Sequence, residues 1–140
     1  MYLDSAYIAK FYVNEEDSRA VRELIRSADQ AVSSACAMAE VCCALHRHMR
    51  QGGLTQTQFR ELLDAFLDHI EAGFWTLLPV DPDLLRRTAL RIRGLPAMAL
   101  RANYAIHLAT AQEAGEREIW TSDRNMLAAA PYFGIKGRSV

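Results

Sequence analysis

The sequence lacks the features that mark a membrane or exported protein. No apolar stretch is long enough to cross a bilayer, and the first residues carry neither the basic segment nor the apolar core of a signal peptide. The three cysteines, Cys36, Cys42 and Cys43, are an odd number without the spacing of a disulfide framework. We therefore expect a cytoplasmic protein with reduced thiols and no membrane partner.

The chain also lacks a strong charge of either sign. It has 16 Lys and Arg against 17 Asp and Glu, a net charge of -1, so bulk charge does not indicate a nucleic-acid binder. It has no glycine-rich phosphate loop. Cys42 and His46 are four residues apart, but two ligands do not make a zinc site and no other Cys/His pair has the right spacing. What remains is 140 residues of ordinary composition, 51% hydrophobic and 24% charged, which predict a single globular domain over residues 1–140.

Short apolar segments alternate with helical patterns along the chain. Strands are predicted at the N-terminus and at residues 30–33, 74–80 and 118–122, with a weak last strand in 134–140. Helices are predicted at 5–13, from about 15, at 35–50, after Thr55, from Asp81 to 93, at 99–114 and after Asp123, with Ser5, Thr55 and Asp81 as N-caps. This alternation predicts a three-layer α/β/α sandwich with a short, mostly parallel sheet.

Two carboxylates fall at the ends of predicted strands, Asp4 after the first and Asp123 after the fourth. A third, Glu40, lies in an otherwise apolar helix that we expect to be largely buried. Ligands in parallel α/β sheets gather outside the carboxyl ends of the strands, and a buried carboxylate needs a partner. A shared Mg²⁺ or Mn²⁺ would supply that partner, because hard oxygen ligands suit these ions.

Each acid also has a simpler explanation. Asp4 and Asp123 would serve equally well as N-caps of the helices that follow them. Glu40 would be satisfied by an arginine or by solvent. The coincidence of all three at one sheet edge is what favours a functional site.

An ordered set of motifs resembles the PIN-domain ribonucleases, most closely the VapC-type toxins of bacterial toxin–antitoxin pairs. The set covers nearly the whole chain and comprises Tyr2-Leu3-Asp4-Ser5, Ser33-Ser34, Ala39-Glu40, residues 105–111 and Trp120-Thr121-Ser122-Asp123-Arg124. The resemblance implies an α/β/α fold and hydrolysis of RNA with Mg²⁺ or Mn²⁺. It implies an antitoxin partner that neutralises the toxin, and a homodimer formed through the N-terminal helices and those after Gly53.

The resemblance also implies roles for particular residues. Asp4 and Asp123 would hold the metal, and Glu40 would bind metal or orient the attacking water. Ser5 and Ser122 would support the acids or contact phosphate. The metal would activate water and offset charge on the phosphodiester.

One position departs from the family pattern. VapC-type sequences carry Asp immediately before the segment that here begins at Ala105, whereas this chain has Tyr104. A phenol with a pKa near ~10 is neutral at pH 7 and is a poor Mg²⁺ ligand. Asn103 is one residue away, roughly 100° round a helix, so we do not expect it to substitute. The sequence therefore predicts a weakened nuclease or, alternatively, an inactive PIN-fold module that retains antitoxin or RNA binding.

Two stretches without any acid are rich in basic residues, 41–60 and 84–112. They are either phosphate-contacting surfaces or solvated helix faces balanced elsewhere. Arg101 is the best single candidate for an RNA contact because it lies nearest Tyr104 in sequence. His107, in an apolar helix, is expected to be a packed and hydrogen-bonded histidine. A phosphoryl-aspartate hydrolase is disfavoured because Ala6 stands where a second Asp is needed.

Overall fold

Five short strands form one parallel sheet in the computed structural model, which describes all 140 residues. In chain order the strands are β1 (Tyr2–Leu3), β2 (Ala31–Ser34), β3 (Trp75–Leu78), β4 (Glu118–Trp120) and β5 (Lys136–Arg138). Their spatial order is β3-β2-β1-β4-β5, and every pairing is parallel. The expected mostly parallel sheet is confirmed, and the weak last strand is present at its edge.

Helices cover both faces of this sheet and complete the predicted three-layer sandwich. They are α1 (Ser5–Tyr12), α2 (Ser18–Arg26), α3 (Cys36–Arg50), α4 (Gln56–Glu71), α5 (Pro82–Ile92), α6 (Ala102–Glu113) and α7 (Arg124–Ala129), followed by a 3-10 helix at Ala130–Phe133. Two apolar cores result, one built mainly from α1 to α4 and one mainly from α5 to α7. Adjacent residues of β1 enter different cores, Tyr2 the second and Leu3 the first, because successive strand residues point to opposite faces.

The order of the strands changes direction at β1. The chain proceeds from β1 through β2 to β3 on one side and then places β4 and β5 on the other. In open α/β sheets a ligand crevice forms at such a switch point, outside the carboxyl ends of the strands. The backbone N–H of Asp4 donates to Trp120 O (3.1 Å), so the ends of β1 and β4 lie side by side at this point.

The helix caps are largely as expected. Thr55 and Gln58 form a reciprocal capping box at α4, and Asp81 caps α5 with Pro82 at its start. The prediction that Ser5 caps α1 was wrong, because the side chain of Asp4 performs this role. Both residue types favour N-caps, and the sequence did not distinguish the two adjacent positions.

Three further expectations need correction. Helix α2 begins at Ser18, so the acids at 15–17 precede it instead of filling its first turn. Helix α6 begins at Ala102 and not near residue 99. Helix α3 is less buried than expected, since only Ala37, Val41 and Leu45 are buried and Met38 is 42% exposed. An amphipathic helix with one inward face explains that pattern.

The apolar residues of the N-terminal helices belong mostly to the core. Tyr7 and Ile25 are buried. Phe11 and Tyr12 are partly buried, and both rings pack against Trp75, with centroids 5.4 Å and 6.3 Å from the indole. These residues therefore give no separate evidence for a dimer surface. Across the whole chain, no helix combines the length and apolarity needed to cross a membrane.

Candidate active site

A cleft of about 310 Å³ opens at the switch point of the sheet. The three predicted acids, Asp4, Glu40 and Asp123, all line it. Asp4 follows β1, Asp123 follows the neighbouring β4, and Glu40 lies on α3, which follows β2 on the other side of β1. The ends of β1 and β4 and the helix that follows β2 therefore each place one carboxylate at the same opening.

Asp4 is almost completely buried, with 3% of its surface exposed. The backbone N–H of Tyr7 donates to Asp4 Oδ1 (2.9 Å), and the hydroxyl of Thr121 donates to Oδ2 (2.5 Å). Burial raises the pKa of Asp4 above its ordinary value, against the opposing effect of these two donors. Asp4 is thus both a helix cap and a wall of the cleft, so its two proposed roles are compatible.

Asp123 is held by three donors. Its Oδ1 accepts the backbone N–H groups of Asn125 (2.9 Å) and Met126 (3.0 Å), which makes it the cap of α7. Its Oδ2 accepts the hydroxyl of Tyr104 at 2.5 Å. Burial raises the pKa of Asp123, but the Tyr104 hydroxyl and the two N–H groups outweigh it and leave the pKa below its ordinary value.

Tyr104, at the position where the family pattern has an acid, is itself a wall of the cleft. Burial and the contact with Asp123 raise its pKa to about 12, so the phenol stays protonated at neutral pH and acts as a donor. The guanidinium of Arg101 lies over its ring, 5.6 Å from the centroid. Tyr104 therefore holds Asp123 through its hydroxyl, and Arg101 covers a face of its ring.

Glu40 is held through α6 by a histidine. The Nε2 atom of His107 lies 2.8 Å from Glu40 Oε2, and its Nδ1 atom lies 3.1 Å from the hydroxyl of Tyr2. A carboxylate only accepts, so Nε2 donates to Glu40, and Nδ1 accepts from Tyr2 in the neutral ring. Burial raises the pKa of Glu40, but the hydrogen bond and the charge interaction with His107, together with hydrogen bonds from Asn103 and Ser5, outweigh burial and leave the pKa below its ordinary value.

The remaining predicted residues divide between the cleft and its surroundings. Ser5 lines the cleft. Ser122 does not; it is exposed and its hydroxyl accepts from Lys10 Nζ (3.3 Å). Arg101 does not line the cleft either, and contacts Tyr104 instead.

Several residues of the site were not singled out from the sequence as partners of the acids. Thr121 connects the carboxylate of Asp4 with the backbone of Asp123, because its hydroxyl donates to Asp4 Oδ2 and accepts the backbone N–H of Asp123 (3.0 Å). His107 was expected to be packed, but its pairing with Glu40 spans 67 residues and leaves no local signal. Cys43 and Arg47 line the cleft because they lie three and seven residues beyond Glu40 on α3, a helical spacing that could have identified them.

The chemistry of the three carboxylates suits a hard divalent cation, but their arrangement does not. Nowhere in the chain are three or more His, Cys, Asp or Glu side chains positioned to hold a metal ion. Both oxygens of Asp4 and both oxygens of Asp123 already accept hydrogen bonds from protein donors. The hydroxyl of Tyr104 donates a hydrogen bond to Asp123 Oδ2 and so takes up one of the lone pairs that a metal could use. The side chains as arranged therefore do not fit a metal ion.

Comparison with known proteins is consistent with this geometry. A family model described as the PIN domain matches residues 1–131. Ribonuclease VapC46 of Mycobacterium tuberculosis is 38% identical over 137 residues, which cover 96% of this chain and 93% of that protein.

The fold is also shared with a solved structure. The crystal structure of VapC20 of Mycobacterium tuberculosis, described as a sarcin–ricin loop cleaving toxin, superposes with a TM-score of 0.72 over 91% of this chain and 93% of that one, at 14% identity. At that identity the likeness concerns the fold alone. The family match and the VapC46 identity together carry the assignment: the chain belongs to the PIN-domain family, as a member of its VapC type.

Proposed function

We propose that this protein is a VapC-type toxin that hydrolyses RNA in the cleft lined by Asp4, Glu40 and Asp123, with an activity that Tyr104 weakens. The observation that carries the proposal is the convergence of three carboxylates on a single cleft at the switch point, two from the adjacent ends of β1 and β4 and one from α3, the helix after β2. Membership of the VapC type makes RNA the expected substrate. The phosphodiester would enter from the open side of the cleft.

Each carboxylate has a role suited to its surroundings. Asp4 and Asp123 are fixed by donors from the strand ends and helix starts, and they define the floor of the cleft. Glu40 has a pKa held low by His107, so it stays ionised and orients a water or a cation. The Mg²⁺ or Mn²⁺ expected from the family would activate water and offset phosphate charge, and the hydrogen bond from Tyr104 to Asp123 opposes its binding.

The hydroxyl of Tyr104 favours a second candidate function. A hydrogen bond from Tyr104 that outcompetes a cation at Asp123 would make the chain a non-catalytic PIN-fold module that binds RNA or antitoxin. The two candidates differ in a single property, the ability of this chain to cleave a phosphodiester bond.

An RNA-cleavage assay with Mn²⁺ separates them when the chain is compared with Tyr104→Asp and Tyr104→Asn. Both variants lose the same buried ring, at a cost of about 3–5 kcal/mol of stability, but only Asp adds a carboxylate. We expect Tyr104→Asp to cleave RNA roughly 10–100-fold faster than the unaltered protein, and Tyr104→Asn to show no such gain. Circular dichroism confirms that each variant is folded at the assay temperature.

Two controls complete this design. Tyr104→Phe keeps the ring and removes only the hydroxyl, so any gain in cleavage reports the release of Asp123. Asp4→Asn in the Tyr104→Asp background should abolish cleavage, because it removes a carboxylate of the cleft. No cleavage from any folded form would reject the nuclease and leave the binding module.

The remaining expectations rest on family membership. We propose that a cognate antitoxin neutralises the protein, that it works as a homodimer, and that it acts in the cytoplasm as a single domain. The three cysteines are free thiols, which suits a reducing compartment. Size-exclusion chromatography with light scattering tests the dimer.

A further inference from the structure

A second depression adjoins the cleft along α3. This α3 groove is lined by Cys42, Cys43, His46, Arg47, Arg50 and Phe59 and has a volume of about 500 Å³. Cys43 and Arg47 line both the cleft and the groove, so the two depressions share a wall formed by α3. Glu40, Cys43, Arg47 and Arg50 follow one another at helical spacing on the same side of α3.

The α3 groove is locally basic although the chain as a whole is not. Residues 41–60 contain no Asp or Glu, whereas the whole chain has a net charge of -1. Arg47 and Arg50 are exposed. The arginines in ion pairs are Arg19, Arg87 and Arg138, so both groove arginines remain free for an anionic ligand.

The spacing along α3 suits an extended anion that begins in the cleft. At 1.5 Å of rise per residue, Arg47 lies about 10 Å along the helix from Glu40, and Arg50 lies about 4–5 Å further. A strand that leaves the cleft and follows α3 away from Glu40 would therefore meet two cations in succession. The positive groove would also repel a basic peptide segment.

An aromatic pair forms part of the groove wall. Phe59 is half-buried, and the exposed ring of His46 meets it edge-on with centroids 5.7 Å apart. Proteins that hold single-stranded nucleic acid combine a cationic groove with aromatic rings on which unpaired bases stack. Duplex RNA does not offer its base faces for such stacking.

We propose that the α3 groove binds single-stranded RNA as it leaves the cleft, with Arg47 and Arg50 on successive phosphates and Phe59 against a base. This inference rests on the proposed function for the choice of RNA, but not on cleavage. The groove would accept an unpaired strand, which would run from the cleft along α3 toward Arg50. An acidic peptide is the competing occupant of a groove with this charge.

The test is fluorescence anisotropy of the full-length protein with a fluorescein-labelled single-stranded RNA of roughly a dozen nucleotides. EDTA is present, so binding is measured without cleavage. We expect Arg47→Gln/Arg50→Gln to weaken binding at low salt by roughly tenfold or more. The slope of log K against log salt should fall by about 1.4, because each phosphate contact on a single strand contributes about 0.7.

The matched control removes the same charge elsewhere. Arg26→Gln/Arg117→Gln changes two exposed arginines that form no ion pair and lie outside the groove and outside both basic stretches, and should leave binding within about twofold, with the slope unchanged. Phe59→Leu keeps an apolar side chain but removes the aromatic face, and should weaken binding of the single strand. If the control pair loses as much affinity as the groove pair, general charge explains the binding and the proposal is overturned.

Two competitors identify the occupant. An RNA duplex of the same sequence should compete poorly, and equal competition would overturn the single-strand assignment. A poly-glutamate peptide that competes as well as RNA would overturn the proposal in favour of a protein partner. If the protein binds RNA through the groove but no variant cleaves it, the α3 groove proposal is supported and the nuclease proposal is rejected. If Tyr104→Asp cleaves RNA equally well with and without Arg47→Gln/Arg50→Gln, the nuclease proposal is supported and the groove proposal is rejected.

Discussion

Replacing His107 by alanine should destabilise the protein strongly. The ring is fully buried and contacts Glu40 at 2.8 Å and Tyr2 at 3.1 Å. Losing a hydrogen bond to a charged group costs about 1.5–3 kcal/mol, and leaving the buried Tyr2 hydroxyl without a partner costs about 1–3 kcal/mol more. We therefore expect His107→Ala to lower the free energy of unfolding by about 3–5 kcal/mol.

Urea denaturation followed by circular dichroism measures this change. Gln112→Ala is the control, because that side chain is exposed on the same helix, α6, and a surface substitution of this kind should cost within about 0.5 kcal/mol. A double-mutant cycle of His107→Ala with Glu40→Gln should give a coupling energy of about 1–3 kcal/mol. A cost below about 1 kcal/mol for His107→Ala would refute the reasoning, because the loss of two buried hydrogen bonds should lower the free energy of unfolding by more than that.

Two further predictions concern the same network. Thr121→Val keeps the shape of the side chain but removes the donor to buried Asp4, and should lower the free energy of unfolding by about 1–3 kcal/mol. Thr121→Ser keeps the hydroxyl and should cost less than about 1 kcal/mol. Equal losses in the two variants would show that the hydroxyl is unimportant. The stability contributed by Glu40, measured as the difference from Glu40→Gln, should be complete above pH 4.5 and should disappear as the pH falls through the lowered pKa of Glu40 in the folded protein. A difference that grows on acidification would contradict this sign.

The sheet and two of the three acids were predictable because the information is local. Asp4 and Asp123 each follow a short apolar run and precede a helical pattern, and parallel strands bring such ends to one edge. Their adjacency, however, depends on the strand order, in which β4 lies beside β1. The sequence predicts that strands exist more readily than it predicts which of them are neighbours.

The contacts that hold the acids were not predictable, because they join distant parts of the chain. Tyr104 meets Asp123 across 19 residues, and His107 meets Glu40 across 67. A tyrosine on a helix carries no local sign that its hydroxyl will meet a carboxylate. The departure at Tyr104 was visible from the family pattern, but its effect on Asp123 required the structure.

The central claim is that the hydrogen bond from Tyr104 to Asp123 weakens the binding of a divalent cation in the cleft of a nuclease. Titration of Mn²⁺, followed by the loss of its electron paramagnetic resonance signal on binding, tests this claim without relying on RNA. We predict that Tyr104→Asp binds Mn²⁺ at least roughly tenfold more tightly than the unaltered chain and than Tyr104→Asn. Equal Mn²⁺ affinity in the unaltered chain and Tyr104→Asp would contradict the claim.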